Sequence, residues 1–252
     1  MNNIGNYINE FEQSLTTTEL KKKYEKRLNS LKQQRNNYFW LKANEEDSKK
    51  NFLRAAKLYL AFIKELNPND ENIQSNLIQA LDQAIICAVL GESGPLRANI
   101  VAQIFQDKNI EKSNHRDLLY KTHQNKLITE TDKQRLVEQL KSHQKATDNT
   151  YQLSQEFTIY EKAITEHNIL ACTELYESIS MKSLSQKLLI NEQDTELILQ
   201  TMINKGSLKA SIDQTTSFIT FLQSEQMPID FNERISNFAG KVNDYLEKIA
   251  KN

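Results

Sequence analysis

The chain has few of the residues that break helices and few of those that do chemistry. Its 252 residues include 5 Gly, 3 Pro, 4 His and 2 Cys. Scattered glycines in that number cannot build a Gly-rich phosphate cradle. His115, His123, His143 and His167 fall into no His-x-His or His-Glu-x-x-His spacing, so no zinc set able to activate water can be assembled from the pattern. Cys87 and Cys172 lie far apart in apolar helical contexts and read as small buried hydrophobes in a reducing compartment rather than as a bridge. Charge of one sign is missing too. Against 32 basic residues stand 33 acidic ones, which leaves no global field to gather nucleic acid, an anionic membrane or an acidic substrate. No apolar run approaches a membrane span, and MNNIGNYINEF lacks the basic head and apolar stretch of a secretory signal. An intracellular protein without a cofactor or metal is the expectation.

With so few breakers, long helices follow, and the fold class is mostly α. Residues 1–50 are the least legible. Ile4, Tyr7, Ile8, Phe11 and Leu15 could share a face, and Leu20, Tyr24, Leu28 and Leu31 continue at helical spacing beside a basic cluster from Lys21 to Arg35. Such a cluster is either a solvated helix face or a contact for an acidic partner or RNA. From residue 51 to 147 the pattern sharpens. Phe52, Ala56, Tyr59, Leu60 and Ile63 mark a helix ended by Asn67-Pro68, and Ile73 to Val89 form a wide apolar stripe closed by Gly91. Pro95 opens a third helix that carries Ile100, Val101, Ile104 and Phe105, and shorter helices follow around Leu118–Tyr120 and Leu136–Leu140. Helix pairs on short loops, with alanines allowing close approach, predict an α-solenoid of TPR-like helical repeats.

Residues 148–223 predict a linking helix and a winged helix. Leu153, Phe157, Tyr160, Ile164, Leu170 and Leu175 recur along the linking helix, which should be buried between the two parts. Ile179 sits in a short strand. Ser180 and Asn191 are placed to cap two helices, and Gly206 stands where a positive φ would end the second. Leu208, Ala210 and Ile212 alternate along one strand and Ile219 and Phe221 along the next, with Asp213 to Thr216 as the turn. The helix that would enter a DNA major groove carries Glu192, Asp194 and Glu196 against Lys205 alone, the wrong sign for neutralising phosphates. Residues 229–252 then show a heptad seam of Phe231, Ile235, Phe238, Val242, Tyr245 and Ile249, which would pack either on its own domain or in a bundle with other chains.

Several strings carry a family resemblance: Ala80-Leu81-Asp82-Gln83-Ala84, Ile104-Phe105-Gln106-Asp107, His143-Gln144-Lys145-Ala146-Thr147, Glu166-His167-Asn168-Ile169-Leu170 and Met202-Ile203-Asn204-Lys205-Gly206. Through them the stretch from Phe52 to Ile249 resembles PCI-domain proteins, and among these the fourth-subunit family of the COP-9 signalosome. A proteasome-lid subunit has a similar architecture, and RNA-associated PCI proteins of translation initiation or mRNA export are a further alternative. Family members carry a longer helical arm than residues 1–50 supply, and Ser211 stands where the family has an apolar strand residue.

The resemblance implies a non-catalytic scaffold, in cytoplasm and nucleus, for the complex that removes a ubiquitin-like modifier from cullins. Its implied partners are the other PCI and MPN subunits of the signalosome, with the cullin-RING ligase reached indirectly, and neither a membrane nor nucleic acid. The expected protein interface comprises Ile179, Leu208, Ile212 and Phe221 of the wing and the seam residues Phe231, Ile235, Phe238, Val242, Tyr245 and Ile249. Catalytic, cofactor and metal residues are expected to be absent.

Overall fold

The computed structural model describes residues 18–66, 71–151, 153–154 and 156–222. The terminal seam, Phe231 to Ile249, and the face from Ile4 to Leu15 lie outside them. Helix α1 (Thr18–Ser48) is 31 residues long and turns into α2 (Phe52–Glu65) through Lys50, whose φ is 64°. The two run antiparallel. Asn51 donates to Glu46 at 2.9 Å, the Tyr59 hydroxyl to Asn44 at 3.0 Å, and Arg35 pairs with Glu65, so partners move apart in sequence as the hairpin lengthens. Trp40 of α1 packs edge-on to Tyr59 at 5.6 Å and against Phe62 at 5.3 Å.

Helix α3 (Glu71–Leu90) is the axis of the first core. From Ala80 to Leu90 only Gln83 is not buried, so the apolar stripe read from the sequence becomes a helix covered nearly all round. Helix α4 (Pro95–Phe105) contributes Ile100, Val101 and Ile104, whereas Phe105, expected among its buried residues, is 37% exposed and stacks on His123 at 4.4 Å. Helices α5 (Arg116–His123) and α6 (Glu130–Gln139) close the core with Leu118, Leu119 and Leu136.

The end of α1 is not a separate segment. Asp47 is fully buried and accepts hydrogen bonds from Lys141 Nζ at 2.8 Å and Gln144 Nε2 at 2.8 Å, with His143 Nε2 at 2.9 Å. A short 3-10 turn, Ser142–Lys145, and its N-cap Lys141 deliver these donors. Burial raises the Asp47 pKa, but the bonds from His143, Lys141 and Gln144 outweigh it and hold the carboxyl below its usual range. The boundary of the divergent segment at residue 50 therefore cuts through a hydrogen-bonded network.

Helix α7 (Ile159–Leu175) joins the two halves. Thr158 caps it, with Glu161 closing the capping box. The sequence spacing placed Leu153 and Phe157 on this helix. In the structure they precede it, because the Thr158 cap and a bridge between Thr147 and Thr158 hold the chain extended there. Leu175, at its far end, is 59% exposed. Ile159, Ala163 and Ile164 belong to the first core, and Ile169 and Cys172 to the second. Both cysteines are free and buried.

The second core is the winged helix: β1 (Ser178–Ser180), α8 (Met181–Leu188), α9 (Glu192–Asn204), β2 (Ala210–Asp213) and β3 (Phe218–Phe221). The strands are antiparallel in the order β1-β3-β2, with Ile219 of β3 facing Ile179 and Ile212. Gly206 has a φ of 70°, as its place after α9 requires.

Two substitutions test this packing. A Cβ on Gly91 would come within 2.2 Å of Leu53 Cδ2 and 2.7 Å of its Cγ, so Gly91→Ala should cost about 1–3 kcal/mol in urea unfolding. Asp47→Asn should remove an acid-sensitive part of the stability. The depressed carboxyl stabilises the fold above the ordinary aspartate value near pH ~3.9, and the contribution is lost as pH falls through the lowered value. Wild type should therefore lose stability more steeply below about pH 4 than the variant, as followed by circular dichroism.

Candidate protein-docking site

The winged helix is assembled from its caps outward. Ser180 accepts from the Ser183 amide at 3.2 Å and starts α8; Asn191 accepts from the Asp194 amide at 2.7 Å and starts α9. Asp194, nearly buried, reaches back from the first turn of α9 to Ser154. It accepts from the Ser154 amide at 3.0 Å and hydroxyl at 2.6 Å, and from Asn191 Nδ2 at 2.7 Å. Burial works against its charge, yet these donors keep the pKa below the usual value, helped by the positive end of the helix. The acid that spoiled α9 as a DNA reader is thus a structural staple. It fixes the approach to α7 against the wing.

The wing turn is held in the same way. Asp213 accepts from the amides and hydroxyls of Thr215 and Thr216, which together hold its carboxyl down at about 2. Gln214 Nε2 donates to Glu196 Oε1 at 3.1 Å and ties the turn to α9.

The strands face two ways. Ile179, Leu208, Ala210, Ile219 and Phe221 point into the second core with at most 8% exposure, and Ile212 is half-buried against it. Ile179, Leu208 and Phe221, expected as interface residues, are therefore corrected. They are the inward half of a period-2 alternation, already buried by α8 and α9, and have no surface to offer. Ile212 offers only part of its surface. The outward face was missed. Across it the register sets Ser180, Phe218 and Asp213 in one row and Ser178, Thr220 and Ser211 in the next. Phe218 is 45% exposed, and just beyond the strand Leu222 is 55% exposed with its amide on the Lys209 carbonyl at 2.9 Å. Ser211, an oddity as an apolar strand position, is consistent as an outward one. The alternation that buried Ile219 and Phe221 required Phe218 and Thr220 to face out, so the signal was present in the sequence. Leu189, at the left-handed end of α8, and Leu197 on α9 add further exposed apolar surface.

The exposed row has the make-up of a docking surface. One aromatic stands among small hydroxyl side chains on a sheet with two short edge strands, the setting in which a neighbour can add to an edge or cover a face. Near it, α9 presents Glu192, Gln193 and Leu197.

Residues 137–223 match the PCI domain family, from the end of α6 to just past β3. Over that stretch the chain is similar to a PCI domain. It is also 30% identical over 208 residues to COP9 signalosome complex subunit 4 of Arabidopsis thaliana, covering 81% of this chain and 51% of that protein. To the subunit of the same name from Caenorhabditis elegans it is 31% identical over 208 residues, 82% of this chain and 48% of the relative. For Drosophila melanogaster the figures are 29% over 204 residues, 81% and 48%. The resemblance carried by the short strings is thus shown over most of the chain, which spans about half the length of the curated relatives it matches. Three of those strings fall on buried polar joints: Asp82 accepts from the Asn114 amide at 3.2 Å, Gln144 holds Asp47, and Asn168 pairs both ways with the Ile128 backbone at 2.8 and 3.0 Å.

Asp194→Ala should loosen the staple without unfolding α9, since Asn191 still caps it. The expected cost is about 1–3 kcal/mol, with faster amide hydrogen exchange concentrated around Ser154.

Proposed function

We propose that this chain is a non-catalytic scaffold subunit of a COP9 signalosome, which supports removal of a ubiquitin-like modifier from cullins by holding other subunits in place. The observation that carries the reading is the outward face of the wing sheet, with Phe218 set among Ser178, Ser211 and Thr220. It belongs to a chain similar to COP9 signalosome subunit 4 over 81% of its length. The proposed partners are PCI and MPN subunits, with a cullin-RING ligase engaged through them, and the proposed place of work is the cytoplasm and nucleus. The heptad seam from Phe231 to Ile249 supplies a second contact in this scheme, by joining helices of other chains. Duplex DNA suits the wing poorly, because Glu192 and Glu196 lie on the helix that would have to meet phosphates.

Affinity purification of the tagged chain from cells, with mass spectrometry of what is retained, tests the scheme. Wild type should recover other PCI and MPN proteins. Phe218→Ser, on an exposed position, should keep the fold and weaken the wing contact by roughly tenfold or more, as loss of a central aromatic does. Deletion of residues 229–252 should release further partners. Recovery of no PCI protein by the wild type, or unchanged recovery by both variants, would sink the proposal.

A further inference from the structure

Arg97, in the first turn of α4, is a buried cation without an adequate partner. Its residue exposure is 5%, and Nη1 donates to Ser93 Oγ at 2.8 Å, but Nε and Nη2 have no hydrogen-bond acceptor among the described residues. Such an arrangement is costly, since a guanidinium taken out of water must be both charge-balanced and hydrogen-bonded. Burial does pull its pKa down, to about 10, against the field of Glu166, and at that value the group stays charged at neutral pH. Glu166 does not close on it. An oxygen of that carboxylate is taken by the Tyr151 hydroxyl.

Arg97 lines a cleft of about 240 Å³, together with Ser93, Gly94, Thr122, Asn125 and His167. Gly94 precedes α4 with no side-chain cap, so the positive end of an 11-residue helix opens at the same place. His167 is held by Nε2 on the Lys126 carbonyl at 2.9 Å, and burial followed by the charge of Arg97 draws its pKa down to about 4. It is therefore a neutral wall, and among the described residues no carboxylate side chain lines the cleft to satisfy the guanidinium.

We propose that this cleft binds a phosphate monoester, with Arg97 as the charged fork once its occluded Nε and Nη2 turn toward the ligand, and Ser93 and the first turn of α4 as supporting donors. A guanidinium can give two parallel N–H bonds to phosphoryl oxygens, and uncapped first-turn amides favour the same charge. The phosphate is carried on a larger group, either a small metabolite or a phosphorylated side chain. The site lies on the helical repeats against α7, away from the wing sheet, and stands whether or not the docking scheme does.

The test uses the full chain. Thermal unfolding is measured in sodium phosphate and in sodium chloride at matched ionic strength, and binding of glycerol 3-phosphate and of a phosphoserine peptide is followed by calorimetry. Wild type should be stabilised by phosphate over chloride and bind at least one ester. Stronger binding of the peptide identifies a protein source, and equal or stronger binding of glycerol 3-phosphate a small-molecule one. Arg97→Met should lose the phosphate-specific shift and about tenfold or more of the affinity. In chloride it should unfold at the wild-type temperature or above, because an unbalanced buried charge has gone. Asn125→Asp places a carboxylate at the exposed rim, at a backbone position with φ of 50° that Asp tolerates, and should weaken binding without unfolding the protein. Phosphate shifts of equal size in wild type and both variants would mean a general salt effect and would overturn the proposal, as would binding of neither ester.

Discussion

The fold depends on burying one helix twice. From Ile159 to Cys172, α7 serves the core of the repeats at its start and the core of the wing at its end, and its middle turn carries Thr165, Glu166, His167 and Asn168, all buried. Apolar contact holds the two ends. The middle turn is different, because a buried polar side chain without a partner costs more than a good hydrogen bond returns. Glu166, His167 and Asn168 find theirs outside the helix, and the bonds of Glu166 with Tyr151, and of His167 and Asn168 with Lys126 and Ile128, pin two separate loops onto one element.

The same requirement recurs at the other joints. Asp47 gathers Lys141, His143 and Gln144 onto the end of α1, Asp82 gathers Ser113 and Asn114, and Asp194 gathers Ser154 and Asn191. Buried carboxylates of this kind add little net stability over well-packed apolar groups, but they permit one arrangement of the loops and penalise others. The proposed docking face would depend on that, because such a face is useful only if it is presented at a fixed angle. Here the outward sheet face sits on strands whose inner side chains are locked, with the wing turn and the approach to α7 both tied to α9.

Among the described residues Arg97 departs from that pattern of satisfied buried charge. Where Asp47, Asp82 and Asp194 have two or three partners each, it has one acceptor for five N–H groups, and the helix start beside it adds to the imbalance rather than relieving it.

Much of this was legible in the residues. The solenoid helices, the caps Ser180 and Asn191, the positive φ of Gly206, the wing turn and its alternating strands are local matters of period, capping and turn chemistry, which neighbouring residues in the chain announce. The docking residues were less well read, because a period of two names two faces without saying which is covered; only the packing of α8 and α9 showed that Ile179, Leu208 and Phe221 face in and Phe218 faces out. Nor does any spacing relate Asp47 to Gln144, or Arg97 to His167. Partners nearly a hundred or seventy residues apart are brought together by the stacking of helices, and whether a buried charge is satisfied is a property of that stacking alone.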